Sequence, residues 1–211
     1  LYAKDGYNDK GKYYTDYIDL ESFADQWLFY ELNEENSVNS SVYYYKDSDI
    51  CGDGKLHASW PWDMEHSLAR EGGAASSWFA AASDLKPEGY WMQFYHHRDF
   101  AEAVYKEWMT KFVPALEKAL NPETGYDPDG ISSLDWYLGY YGTDAQINES
   151  RWNGSGFAEK LEKIRRIYTV RLDFLTEALG LYDTDYIYFY KENGILYGVN
   201  AQEESIPVEN P

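Results

Sequence analysis

The sequence predicts an α+β fold dominated by helices, and three observations carry that prediction. Apolar residues recur at helical spacing from Phe157 to Leu179, and two pairs of short alternating runs enclose turn-rich loops and read as β-hairpins. No internal repeat or low-complexity segment interrupts the 211 residues. With 44% hydrophobic content, a chain of that length can bury one sizeable core. One compact unit is the economical arrangement.

Residues 1–18, with Gly6, Gly11 and alternating Lys and Asp, read as a polar lead-in. Asp19 reads as an N-cap, because its short carboxylate can accept from the unpaired N–H groups of a first turn. Leu20, Phe23, Trp27, Leu28 and Leu32 follow at helical spacing. Val42 to Lys46 is β-branched and aromatic, Asp47 to Gly54 is rich in turn residues, and Lys55 to Trp60 alternates again, which makes a hairpin. Its return strand stops at Pro61, which cannot donate to a ladder, and opens into Trp62-Asp63-Met64-Glu65.

Asp99 is placed to cap a helix from Phe100 to Phe112, which Pro114 kinks or restarts and Ala115 to Leu120 completes. Ser133 to Asn148 is a weaker helix weighted with Trp and Tyr. From Phe157 the apolar steps through Leu161, Ile164, Tyr168, Leu172, Leu175 and Leu179 are 4, 3, 4, 4, 3 and 4, with Gly180 at the C-cap. This stripe is expected to pack against the helices of Asp99 to Leu120, with Leu172 in the core. Tyr186 to Lys191 and Ile195 to Val199 form a second hairpin around Asn193-Gly194, and Asn200 to Pro211 is expected to fray.

Charge and motifs exclude several functions. Eighteen basic residues against 37 acidic ones give a formal charge of −19, which disfavours duplex nucleic acid, whose phosphates are held mainly by Lys and Arg. No apolar run approaches the roughly 20 residues of a membrane helix. Cys51 is the only cysteine, so no intrachain disulfide forms. The opening at Leu1, without an initiator Met or a signal peptide, suggests a processed piece of a longer protein. There is no GxxxxGK[ST], GxGxxG, HExxH or paired CxxC, and Asn153-Gly154-Ser155-Gly156 lacks the spacing of a nucleophile elbow.

An acidic pair at the hairpin exit remains. Asp63 and Glu65 can both face a cleft at the mouth of the sheet, and hard cations such as Mg²⁺, Mn²⁺ or Ca²⁺ favour such oxygen ligands. Alternatively, the two carboxylates cap a turn or pair with Arg70. His66 could add a transition-metal ligand or simply be solvated. Asp47-Ser48-Asp49 and Asp53-Gly54 mimic an EF-hand start, but the twelfth position is Ala58 rather than a bidentate Glu, which favours a plain turn. His96 and His97 are adjacent near a helix start, where consecutive side chains diverge by about 100°, so they are poor joint ligands. Arg165, Arg166 and Arg171 punctuate the last helix; Arg171 pairs with an acidic surface or holds an anion. The 8 Trp and 22 Tyr serve mostly packing but could also line a sugar-binding surface.

The ordered set of residues resembles the CotH kinase family, bacterial spore-coat and extracellular proteins with an atypical protein-kinase-like fold. It comprises Tyr17-Ile18-Asp19-Leu20-Glu21-Ser22-Phe23, Glu31-Leu32, Ser40 to Asp47, Gly54-Lys55-Leu56 and Pro61-Trp62-Asp63-Met64-Glu65. Asp99-Phe100 with Trp108, Asn148 with Arg151-Trp152, and Arg171 with Phe174-Leu175 extend it to about Gly180. The resemblance implies a mainly helical kinase-like C-terminal lobe over residues 1–180, followed by the terminal hairpin and polar tail at 181–211. It assigns Asp63 to Mg²⁺ or Mn²⁺ coordination with ATP, and Glu65 to supporting it. It further implies phosphoryl transfer to Ser or Thr of a partner protein, and an extracellular or cell-surface bacterial location.

The sequence departs from the family at the catalytic loop. Active members carry an Asn-x-Asp after the Glu-Leu that ends the first helix, whereas Glu31-Leu32-Asn33-Glu34-Glu35-Asn36-Ser37 places Ser37 or Asn36 at the Asp position. Neither is a base near neutral pH, although Glu34 or Glu35 could substitute. The chain also lacks the nucleotide-gripping strands expected upstream, so this piece alone is expected to transfer no phosphate and to behave as a pseudokinase. The alternative is a non-catalytic binding or scaffold module of an extracellular complex, including one that contacts carbohydrate through exposed Trp and Tyr.

Overall fold

The computed structural model describes residues 3, 5–35, 42–64, 67–68, 72–79, 90–152 and 156–208. Over these residues the chain is α+β, with six α-helices and two small antiparallel sheets. Helix α1 (Leu20–Asn33) begins as its sequence dictates: Asp19 is extended and its Oδ1 accepts from Ser22 N at 2.9 Å. Phe23, Trp27, Leu28 and Leu32 are buried, and Leu20 packs at the core's edge.

The lead-in is more than a polar overhang. Tyr14 and Ile18 are buried, and the chain pairs with the first hairpin through Leu56 N to Tyr17 O at 2.8 Å and Asp19 N to Leu56 O at 2.9 Å. The Tyr13 and Tyr14 hydroxyls both donate to Asp99 Oδ1, at 3.1 and 2.8 Å. That corrects the capping role expected of Asp99, whose carboxylate turns to the two phenols. His97 is the N-cap of α3 (Arg98–Glu107) and makes no side-chain cap bond. The short α2 (Tyr90–Tyr95) precedes it.

Strands β1 (Tyr44–Lys46) and β2 (Leu56–Ala58) pair antiparallel, with Tyr45 opposite His57. A bond from Ser59 N to Tyr43 O at 3.0 Å closes the ladder just before Pro61. Helix α3 runs through one π-helical turn, Trp108–Phe112, into α4 (Val113–Leu120). Pro114 explains the wider turn: it has no N–H and its ring crowds the carbonyl four residues back. The preceding turn relaxes to an i→i−5 bond from Val113 N to Trp108 O.

Helix α5 (Leu134–Trp152) outlasts its expected end at Asn148, and Ser133 Oγ accepts from Trp136 N at 3.1 Å in its first turn. Helix α6 (Phe157–Leu179) has the expected ends, with Gly180 as a C-cap in right-handed conformation. It packs against α5, α4, the 3₁₀ turn Gly72–Ser76, α1 and α3. Its buried positions are Ile167, Arg171, Phe174, Leu175, Ala178 and Leu179, whereas Leu161, Ile164, Tyr168 and Leu172 are only half-buried. The expected stripe therefore meets the core mainly through the second half of the helix.

The terminal hairpin joins β3 (Tyr188–Glu192) to β4 (Ile195–Val199) through Asn193 and Gly194, both at positive φ, as a right-twisted two-residue turn requires. The segment expected to fray adds a third strand, β5 (Ser205–Pro207), against β4, and Val208 N bonds Leu196 O at 2.8 Å. Phe189 and Leu196 join the same hydrophobic core as α1, α3 and α6. No helix among the described residues is long and apolar enough to cross a membrane.

Candidate functional site

The C-terminal end of α1 is built around a buried ion pair. Arg171 reaches in from α6, and its Nη2 donates to Glu31 Oε1 at 2.6 Å and to Glu31 O at 2.5 Å. Its Nη1 donates to Ala75 O at 3.0 Å and to Ser77 O at 2.7 Å. Glu31 Oε1 also accepts from Phe79 N at 2.6 Å. One guanidinium thus fixes three segments, its planar fork matching a carboxylate and several carbonyls at once.

The residues after this pair turn sharply. Glu34 closes α1 in left-handed conformation at φ 54, and the side chains of Glu34 and Glu35 are buried. Glu34 Oε1 lies 3.8 Å from Arg171 Nη1, and Glu35 Oε2 accepts from Ser67 Oγ at 2.8 Å. Asn33 Oδ1 accepts from Tyr168 Oη at 2.8 Å, and burial raises the pKa of that phenol.

The hairpin exit is stitched to this corner. Leu68 N donates to Asn33 O at 2.7 Å and Ser67 N donates to Met64 O at 3.2 Å, so the segment carrying Asp63 returns against the end of α1. Asp63 is exposed and held at φ 61, and Leu68 is at φ 55. Left-handed backbone is uncommon for residues with a Cβ and is strained for a γ-branched leucine. Among the described residues five non-glycine positions have positive φ: Asn193 and Glu203 serve the turns of the terminal sheet, and Glu34, Asp63 and Leu68 all belong to this corner.

Of the two expected metal ligands Asp63 is described, as are the substitute bases Glu34 and Glu35, whereas Asn36, Ser37, Glu65, His66 and Arg70 lie outside the described residues. The EF-hand-like loop spends its carboxylates on the hairpin. Asp49 pairs with Lys46. Asp53 accepts from Lys55 N at 2.8 Å and contacts His57 Nε2 at 3.1 Å, which holds its pKa below the usual carboxylate range. His97 is buried against the Tyr14 ring, and His96 is exposed. Arg165 pairs with Asp135 at 2.8 Å, whereas Arg171 pairs inside the core rather than on an acidic surface.

A second feature lies along the earlier turns of α1, where a cleft of about 540 Å³ opens between α1, the first hairpin and the π turn. Ser22, Asp25, Gln26, Tyr45, Trp60 and Lys111 are on its walls. Lys111 Nζ sits 2.9 Å from Glu21, 2.8 Å from Asp25 and 2.9 Å from Glu107. Glu21, Asp25 and Glu107 could gather on a cation, as could Asp19, Asp53 and His57. In the first group the lysine ammonium takes that place. Burial works to lower the Lys111 pKa, but the hydrogen bonds that its ammonium donates to Asp25, Glu107 and Glu21 outweigh it and the net shift is upward. Burial also raises Asp25, and the lysine only partly offsets this. The two shifts are compatible, because one ammonium shared by three carboxylates is over-supplied with partners while each carboxylate is under-supplied.

Sequence reasoning did not find the cleft or the burial of Glu34 and Glu35. Arg171 carried a legible signal, a charged residue four from Ile167 and four from Leu175 on the apolar side of α6. Gln26 and Lys111 carried none, since polar residues on helices are ordinarily solvated. Comparison of the chain with protein families, curated proteins and solved structures finds no match in any of the three.

Proposed function

We propose that the corner formed by Asp63 and the end of α1 is a kinase-like centre of the CotH type, in which Asp63 holds Mg²⁺ or Mn²⁺ on the phosphates of ATP. The observation that carries this reading is the concentration of left-handed, non-glycine backbone at Glu34, Asp63 and Leu68, bonded together by Leu68 N to Asn33 O and Ser67 Oγ to Glu35. Such strain persists where the surroundings over-determine it, and it gathers at ligand sites. A carboxylate presented at a strand exit is a suitable hard-cation ligand, and a metal there would neutralise phosphate charge.

The reaction to which this centre belongs is transfer of the γ-phosphoryl group to Ser or Thr of a partner protein, within an exported bacterial protein of the spore-coat or cell-surface kind. The loop positions Asn36 and Ser37 offer no carboxylate to the acceptor hydroxyl, so nucleotide and metal binding outlives efficient transfer in this chain. Equilibrium binding of a fluorescent ATP analogue tests the reading. Binding that requires Mn²⁺ and is lost in Asp63→Asn supports it, and binding indifferent to both removes it.

A further inference from the structure

Helix α5 is held to the fold along one stripe. Leu138, Gly142, Ala145 and Glu149, at steps of 4, 3 and 4, are half-buried where α5 packs on α6, and Glu149 accepts from Phe157 N at 2.6 Å at the start of α6. The opposite face carries Tyr137, Tyr141, Asp144, Asn148 and Arg151 at steps of 4, 3, 4 and 3, all exposed, and exposed Tyr140 borders it. Its rings are ordered before any ligand arrives. Trp136 stacks on both Tyr126 and Tyr140, at centroid distances of 4.8 and 4.9 Å, and the rings of Tyr137 and Tyr141 are parallel to within 9°. Tyr140 nevertheless stays 64% exposed, so much of its ring is left for a further contact. A contiguous exposed patch of rings marks a contact surface, and rings already held in place lose little freedom when a ligand stacks on them.

Charge and composition select the occupant. In a chain of formal charge −19 this face carries one acid, Asp144, and one base, Arg151, so it is complementary to a neutral ligand rather than to a basic or acidic one. The net charge of the chain repels a second copy. A partner helix docks through interlocking aliphatic side chains, and this face offers little of that kind besides Ile147. A pyranose chain with equatorial substituents meets the conditions. It is neutral, its axial C–H groups form flat apolar faces that suit aromatic rings, and its hydroxyls pair with planar polar groups such as those of Asp144, Asn148 and Arg151. The stripe from Tyr137 to Arg151 rises about 21 Å, long enough for several sugar rings laid end to end.

We propose that the outer face of α5 is a binding platform for a neutral β-1,4-linked polysaccharide, whose sugar rings stack on Tyr137, Tyr140 and Tyr141. The proposal does not rest on the phosphoryl-transfer reading.

Isothermal titration of the full chain with cellohexaose and with xylohexaose tests it, in the wild type, Tyr137→Ala, Tyr140→Ala, Tyr140→Phe and Trp60→Ala. All three positions are exposed, and circular dichroism checks that each variant folds. The expected result is saturable binding of at least one oligosaccharide and a loss of about fivefold or more in Tyr140→Ala, the scale of a removed ring contact. Affinity is expected to persist in Tyr140→Phe, which keeps the ring, and in Trp60→Ala, which removes an exposed ring of the first hairpin. Absence of binding to both oligosaccharides overturns the proposal. So does binding that Tyr137→Ala and Tyr140→Ala leave unchanged, or that Trp60→Ala abolishes, which moves the sugar to the hairpin. Sedimentation velocity supplies the remaining outcome: self-association of the wild type that Tyr140→Ala reverses makes the face an interface between copies and overturns the proposal.

Discussion

Arg171 and Glu31, 140 residues apart in sequence, form an ion pair at 2.6 Å with neither side chain exposed. Burying two charges is costly, and the pair is tolerable because the guanidinium also satisfies the carbonyls of Ala75, Ser77 and Glu31. Removing one partner strands the other. Arg171→Met is expected to cost about 3–5 kcal/mol in denaturant unfolding, and the double replacement Glu31→Leu/Arg171→Met less than the single one. A loss under about 1 kcal/mol for Arg171→Met would place the pair in solvent.

Helix α6 meets the core through its second half, which sets an order among truncations. Leu175 is fully buried and Leu172 half-buried. Leu175→Ala is expected to cost about 2–5 kcal/mol, and Leu172→Ala clearly less, because part of its surface is already in water. Urea unfolding of the two variants side by side measures the order, and equal losses would contradict the packing described.

Alkaline pH should loosen the contact between the lead-in and α3. Burial, followed by the Asp99 carboxylate, pushes the Tyr13 pKa from 10.0 up to about 12, and Tyr14 is raised by the same causes. The folded state therefore holds these protons more tightly than the unfolded chain. The resulting stability is fully present below pH 10 and is lost as pH rises from about 10 towards 12. A Tyr13→Phe/Tyr14→Phe variant should show a smaller drop across that window, and an identical drop would assign the alkaline loss to other groups.

Phosphate transfer by this chain is expected to be undetectable with labelled ATP, Mn²⁺ and a Ser-rich acceptor. Glu34 and Glu35, the carboxylates just before Asn36 and Ser37, are both buried; Glu34 lies by Arg171 and Glu35 accepts from Ser67. A carboxylate sealed in this way does not reach an acceptor hydroxyl. Incorporation that disappears in Glu35→Gln would show that the loop rearranges to expose it.

The elements legible in the sequence were those fixed by local chemistry. The Asp19 cap, the α6 periodicity and the Asn193-Gly194 turn each depend on residues a few positions apart, and each stands where its pattern placed it. Long-range partners overrode local rules elsewhere. Asp99 abandoned its cap for two phenols 85 and 86 residues away, and a tail with polar composition gained a strand because β4 offered a free edge. Of the candidate site, the sequence exposed Asp63 through the Pro61 stop, but the left-handed backbone around it arises from hydrogen bonds between distant segments that no spacing encodes.

Coordination of a divalent cation by Asp63 is read out by Mn²⁺ titration followed by electron paramagnetic resonance. Asp63→Asn removes the charge while keeping a residue that tolerates φ 61, and Asp63→Ala removes the ligand altogether. A saturable Mn²⁺ site is expected in the wild type, weakened in the first variant and lost in the second. Equal Mn²⁺ affinity in all three proteins would contradict it.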